Sequence, residues 1–191
     1  MSDDLKKIIP RWEWRYFTED PGDLSKIFGD LEPVAVQKSR EVYLLSEIPD
    51  LNIKYRFEQI DIKKLIDTSQ EGYEQWKPVF KSDFPLKGPE LDKFMGLLGI
   101  DLSSDLSFDR VEELGAQLGL SIIKIDKYRK KYVVEGVKCE SGEIQVDSKK
   151  LYTIAIEDKD PAKVSSILNR LGVESTKNIN YPLALQKLVT T

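Results

Sequence analysis

The stretch RWEWRYF, residues 11–17, alternates residue by residue and constrains the fold more than any other segment. In an extended strand successive side chains point to opposite faces. Trp12, Trp14 and Tyr16 share one face, and Arg11, Glu13, Arg15 and Phe17 share the other. The aromatic face can fill a core. The charged face leaves two choices: it looks at water, or it looks into something.

The alternation recurs along the chain. LNIKYRFEQIDIKKLI (51–66) puts Ile53, Tyr55 and Phe57 on one side, and Lys54, Arg56 and Glu58 on the other. PVAVQKSREVYLLSEI (33–48) reads as one or two strands, and YEQWKPVF (73–80) as another. Helical spacing follows in GPELDKFMGLLG (88–99), with Leu91, Phe94, Met95 and Leu98 in line. It follows again in SFDRVEELGAQLG (107–119), with Val111, Leu114 and Leu118. LSIIKIDKYRKKYVVEGVKCESGEIQV (120–146) returns to strands, with Glu140-Ser141-Gly142 expected as a turn.

Two segments resemble each other: WEWRYFTEDPGDLSKIFG near the start and YTIAIEDKDPAKVSSILNRLG near the end. Each is an alternating strand, an acidic turn, Asp-Pro and a helical pattern closed by Gly. Asp20 and Asp160 suit helix N-caps, Pro21 and Pro161 the first helical position, and Gly29 and Gly172 the stop. The strand faces agree in parity when the Asp-Pro pairs are aligned.

The expected architecture is α+β: an antiparallel eight-stranded β-barrel, a tunnel, with three to five flanking helices in a single domain, 1–191. Strands and helices do not alternate regularly, which argues against a parallel βαβ sheet. Eight strands can close, and interior positions then alternate with exterior ones. If the apolar faces pack outward under helices, the charged faces line the lumen. Arg11, Arg15, Lys54, Arg56, Lys77, Lys127 and Arg129 are then candidate lumen cations. Unpaired charge inside a barrel is costly. A cluster of forked guanidinium donors makes sense there with a polyanionic ligand.

Composition removes other chemistries. There is no histidine and one cysteine, Cys139, so Ser-His-Asp and Cys-His catalysis and His- or Cys-rich zinc sites are excluded. Any metal would be a hard cation held by oxygens. A net charge of −4 and a pI of about 5.1 argue against duplex-DNA binding. No apolar run approaches a membrane span, and MSDDLKKIIP lacks the apolar core of a signal peptide. A cytoplasmic location with no membrane partner is expected.

The order of the charged segments resembles the CYTH superfamily, the triphosphate tunnel metalloenzymes, which include thiamine triphosphatases, inorganic triphosphatases and class IV adenylate cyclases. The family's opening ExExK strand corresponds to RWEWR, its basic RxR-like strand to KYR at 54–56, and its KxRxxY strand to KYRKKY at 127–132. Its ExE strand before a helix corresponds to AIE at 155–157, and its terminal Tyr-plus-leucine helix to NYPLALQKL.

The resemblance implies a tunnel fold, a phosphate-rich small molecule as the polyanionic ligand, phosphoanhydride chemistry, and Mg²⁺ or Mn²⁺ on the motif glutamates, here Glu13 and Glu157 in both catalytic and metal roles. The motifs also depart from the family. Arg11 and Ala155 stand where carboxylates are expected, and Arg15 replaces a lysine. With two of four carboxylates gone, Glu13 is open to two readings: metal ligand, or ion-pair partner of Arg11 or Arg15. Three functions follow: a metal-dependent phosphohydrolase, a receptor that holds a phosphate chain with little turnover, and a cyclase, for which no base-recognition feature is visible.

Overall fold

The computed structural model describes residues 9–101, 106–174 and 176–190. The segment 1–8, most of the stretch considered for a signal peptide, lies outside the described residues.

Eight strands close into an antiparallel barrel: β1 (Trp12–Thr18), β2 (Ala35–Leu45), β3 (Leu51–Arg56), β4 (Gln59–Thr68), β5 (Glu74–Asp83), β8 (Ser121–Val134), β9 (Val137–Val146) and β10 (Lys149–Asp158). Their order around the barrel is β1-β10-β9-β8-β2-β3-β4-β5. A separate pair, β6 (Leu86–Lys87) and β7 (Ser107–Phe108), lies outside it. The α-helices among the described residues are α1 (Gly88–Leu97), α2 (Val111–Gln117), α3 (Pro161–Leu171) and α4 (Tyr181–Thr190). The α+β barrel expected from strand parity is the observed fold.

Two expected elements differ. The segment 51–66 is two strands, because Phe57 and Glu58 both take positive φ, 50° and 62°. Such a two-residue turn twists in the sense that joins antiparallel neighbours. Glu140-Ser141-Gly142 is not a turn but the middle of β9. The reversal comes earlier, at Glu135 and Gly136, with φ 51° and 80°. Glycine at 142 serves another purpose: a Cβ there would lie 3.2 Å from Thr153 Cγ2, so a side chain would need its neighbours to give by a few tenths of an ångström.

The repeat is realised as neighbours. β1 and β10 pair antiparallel, with Trp14 opposite Ile156 and Glu13 opposite Glu157. Only the second copy continues into an α-helix. After β1 the chain makes a 3₁₀ turn, Gly22–Lys26, because Gly22 sits at φ +40°, outside the α-helical region. Asp160 accepts a hydrogen bond from the Ala162 amide and caps α3, which ends at Gly172 in the left-handed conformation. Asp160→Ala is expected to cost about 1 kcal/mol, read as a lower urea midpoint.

Each face of the barrel has its own cover. Trp14, Ile154 and Ile156 pack under α3 with Val164, Ile167 and Leu168. Leu44, Ile53, Ile60, Ile62 and Phe80 pack under α1 and α2 with Leu91, Phe94 and Leu114. The third cluster lies inside. Directly paired residues share a face, and Tyr43, which lines the lumen, pairs with Ile123. By the same ladder Ile144, Val146 and Leu151 point inward. They meet Tyr181, Leu185 and Leu188 of α4. This helix therefore does not flank the barrel; it stops one end of it.

The seam beside α4 is sealed locally. β5 pairs with β1 only at Trp12 and Glu13. Beyond that point the Arg15 amide donates to Asn178 Oδ1 at 2.7 Å, and the Ile179 amide donates to the Arg15 carbonyl at 2.8 Å. The chain leading into α4 thus takes the place of the missing strand.

Candidate functional site

With one end plugged, the lumen is a cup. Its free volume is about 420 Å³. Among the described residues eight cationic side chains line it: Arg15, Lys54, Arg56, Lys63, Lys127, Arg129, Lys131 and Lys138. Three carboxylates line it with them, Glu13, Glu140 and Glu157. Glu41 and Asp61 reach the same cations from the wall. The charged strand faces look into the barrel.

The cations differ in their freedom. Lys127 donates to Glu41 Oε2 at 2.7 Å and to Tyr43 Oη at 2.8 Å, and its ammonium sits 3.8 Å above the Tyr181 ring. Burial holds its pKa well below that of a free lysine, against the pull of Glu41. Its bonds are spent on the protein. Arg15 is equally fixed: Nε donates to Glu13 at 2.8 Å, and Nη1 lies 3.3 Å from Glu140 and 3.4 Å from Thr153 Oγ1. Its guanidinium lies 4.7 Å from the centre of the Tyr181 ring.

Lys54, Arg56 and Arg129 are held more loosely. Lys54 lies 3.8 Å and Arg56 3.5 Å from Asp61. Burial, opposed by Asp61, lowers the Lys54 pKa to about 8. Arg129 touches Glu41 and Glu140 only at 3.7 and 3.6 Å, and its buried Nε and Nη2 make no hydrogen bond. The Tyr181 hydroxyl is also buried without a hydrogen-bond partner. Burial raises its pKa, so it remains an O–H donor. Buried donors without partners are rare in native proteins.

Arg15, Lys54, Arg56, Lys127 and Arg129 from the expected phosphate-binding set come together in this cup. Arg11 does not line it; the residue precedes β1 and reaches Glu157 at 3.5 Å. Lys77 lies opposite Lys64 and alternates with the inward Trp76, so it falls on the outer face. Glu41, Asp61, Lys63, Lys138 and Glu140 escaped the sequence reading. For Glu41 the signal was available: Ser39, Glu41 and Tyr43 share one strand parity. For Glu140 it was masked by the expected turn.

The carboxylates do not fit a resident metal ion. The ladder sets Glu74, Glu13 and Glu157 side by side on β5, β1 and β10. Their side chains part company. Glu13 binds Arg15, Glu157 turns to Arg11, and Glu74 accepts from Trp76 Nε1 at 2.9 Å and Asn180 Nδ2 at 3.1 Å. Among the described residues no three acidic, His or Cys side chains form a group able to hold a metal. A divalent ion about 4 Å from a guanidinium would be repelled by about 8 kcal/mol at an effective dielectric near 20.

No family model matches the sequence, and no curated protein matches it. Solved structures do. A conserved hypothetical protein from Pyrococcus furiosus superimposes with a TM-score of 0.53 at 18% identity, over 92% of this chain and 99% of that one. A putative adenylate cyclase from Bacillus halodurans gives 0.54 at 12% identity, over 94% and 98%. A putative adenylyl cyclase from Hippeastrum, described as having a dominant triphosphatase activity, gives 0.52 at 12%, over 86% and 88%. No described helix is long and apolar enough to cross a membrane. At these identities the likeness is one of fold, the closed eight-stranded antiparallel barrel, and it agrees with the fold implied by the order of the charged motifs.

Proposed function

We propose that the barrel is a receptor for a short phosphate chain, such as triphosphate, polyphosphate or the phosphates of a nucleotide, and that it turns this ligand over slowly or not at all. The observation that carries the reading is the group of buried donors without a hydrogen-bond partner in the cup: Arg129 Nε and Nη2 and the Tyr181 hydroxyl. Phosphate oxygens are acceptors, and planar guanidinium donors match them well. The excess of cations over carboxylates favours the same ligand. The cytoplasmic location expected from the sequence belongs with this reading. Calorimetric titration with sodium tripolyphosphate tests it, beside a phosphate-release assay on the same sample. Saturable binding with slow release is expected; no binding at low salt would overturn it.

A second reading, weak metal-dependent hydrolysis, draws on the Glu13–Glu157 register and on the fold shared with the Hippeastrum protein. It requires both glutamates to leave their arginines. Brisk phosphate release that Glu13→Gln abolishes would favour it.

The buried Lys54 adds a pH dependence. Its pKa of about 8 means that the free protein loses this cation as the pH rises through 8. A bound polyanion would favour the charged form, so binding takes up a proton above that point. From pH 7 to 9 the wild type is expected to lose about tenfold in affinity relative to Lys54→Met, since one linked proton is worth a factor of ten per pH unit. Parallel pH profiles for the two proteins would remove Lys54 from the site.

A further inference from the structure

We infer that the cup grips its polyanion without a metal ion, with the Arg15 guanidinium, braced between Glu13 and Glu140, occupying the carboxylates that a cation would need. The inference rests on the phosphate-chain reading and runs against the cofactor implied by the family resemblance.

Three observations carry it. The first is that Arg15 cannot be displaced without loss. It is 7% exposed, with Glu13 at 2.8 Å, Glu140 at 3.3 Å, Thr153 Oγ1 at 3.4 Å and the Tyr181 ring beneath it. A cation claiming Glu13 would strand a buried guanidinium. The second is the residue opposite. Ala155 faces Arg15 across the β1–β10 ladder and pairs with Glu140 across β10–β9, so β10 offers no carboxylate at that level. The third is Glu74. In the row Glu74–Glu13–Glu157 it could supply a third carboxylate, but Asn180 holds it, and Asn180 also caps α4 by accepting from the Leu183 amide. Recruiting Glu74 would loosen the helix that plugs the barrel.

The consequence reverses the usual role of magnesium. Mg²⁺ binds tripolyphosphate in solution and neutralises part of the charge that the cup recognises. A site without room for the ion must compete with it for the ligand. The test titrates the full chain with sodium tripolyphosphate, once with EDTA and once with Mg²⁺. With Mg²⁺ at about ten times its dissociation constant from tripolyphosphate, free anion falls about elevenfold, and apparent affinity should weaken by the same factor.

Equal or tighter binding with Mg²⁺ overturns the inference and leaves the phosphate-chain reading standing. Loss of that magnesium-dependent gain in Glu74→Gln would then locate the ion in the glutamate row. Absence of binding in both arms overturns both. A direct titration of the protein with Mn²⁺ alone, followed by electron paramagnetic resonance, provides a readout independent of the anion. No depletion of the free-ion signal at millimolar Mn²⁺ is expected, and stoichiometric depletion would overturn the inference.

Discussion

Replacing Glu41 with alanine is expected to destabilise the protein by about 3–5 kcal/mol, the cost of removing one partner from a buried ion pair. Its side chain is wholly buried. Lys127 and the Ser39 hydroxyl donate to it at 2.7 and 3.1 Å, and Arg56 and Arg129 lie within 3.9 Å. Without Glu41, Lys127 is a buried ammonium left with Tyr43 alone among its oxygen partners. The loss should therefore not be additive: Glu41→Met with Lys127→Met should cost clearly less than Glu41→Ala, because no charge is stranded. Urea denaturation of the wild type, Glu41→Ala and the double variant at pH 7 measures this, and a double variant as destabilised as Glu41→Ala would refute it.

The same carboxylate sets an acid limb. Burial acts to raise its pKa, but Lys127, Lys54 and Arg129 outweigh burial and bring it down to about 2. The folded value lies below the unfolded one, so the stabilisation is complete above about pH 4.5 and is lost as the pH falls towards 2. A displacement of that size corresponds to about 3 kcal/mol. Glu41→Gln should flatten this limb.

Replacing Arg129 with alanine is expected to weaken tripolyphosphate binding by about 1.5–3 kcal/mol, the worth of a hydrogen bond to a charged group, or roughly 10- to 150-fold. Arg129 is chosen over the other lumen cations because its Nε and Nη2 have no hydrogen-bond partner in the protein. Lys127 is the contrasting case: its bonds to Glu41 and Tyr43 are short, so its replacement should lower stability more than it lowers affinity at fixed stability. Arg129→Lys should recover only part of the binding, since a point charge does not reproduce the fork. Calorimetry at two salt concentrations checks the origin of the loss: the difference between wild type and Arg129→Ala should shrink at high salt. An Arg129→Ala protein with wild-type affinity would take the anion out of the cup.

Strand parity was legible because it is a local property. Trp14 and Ile154 had to share a covered face, and Arg15 and Arg56 had to lie opposite their apolar neighbours. These relations follow from a two-residue period and need no knowledge of the partner strand. Where the chain departs from that period, the reading failed. Phe57 sits in a turn at φ 50°, and Glu140, read as a turn residue, lies in a strand with its carboxylate facing Arg15 and Arg129.

By itself the sequence determined the alternating faces, the Asp160 and Gly172 caps of α3, the exclusion of histidine and thiol chemistry, and the concentration of cations on strand faces that must turn away from the helices. Only the tertiary structure decided what those charges do. Ring closure put Glu13, Glu74 and Glu157 in one row, yet pairing with Arg15, Asn180 and Arg11 drew the three carboxylates apart. Folding of α4 into the barrel turned a tunnel into a cup, because Tyr181, Leu185 and Leu188 found the apolar inward residues at one end and left the charged end free. The pairs Arg11–Glu157 and Arg15–Glu140 depend on distances of a few ångströms between residues more than a hundred positions apart, and those distances exist only once the barrel has closed.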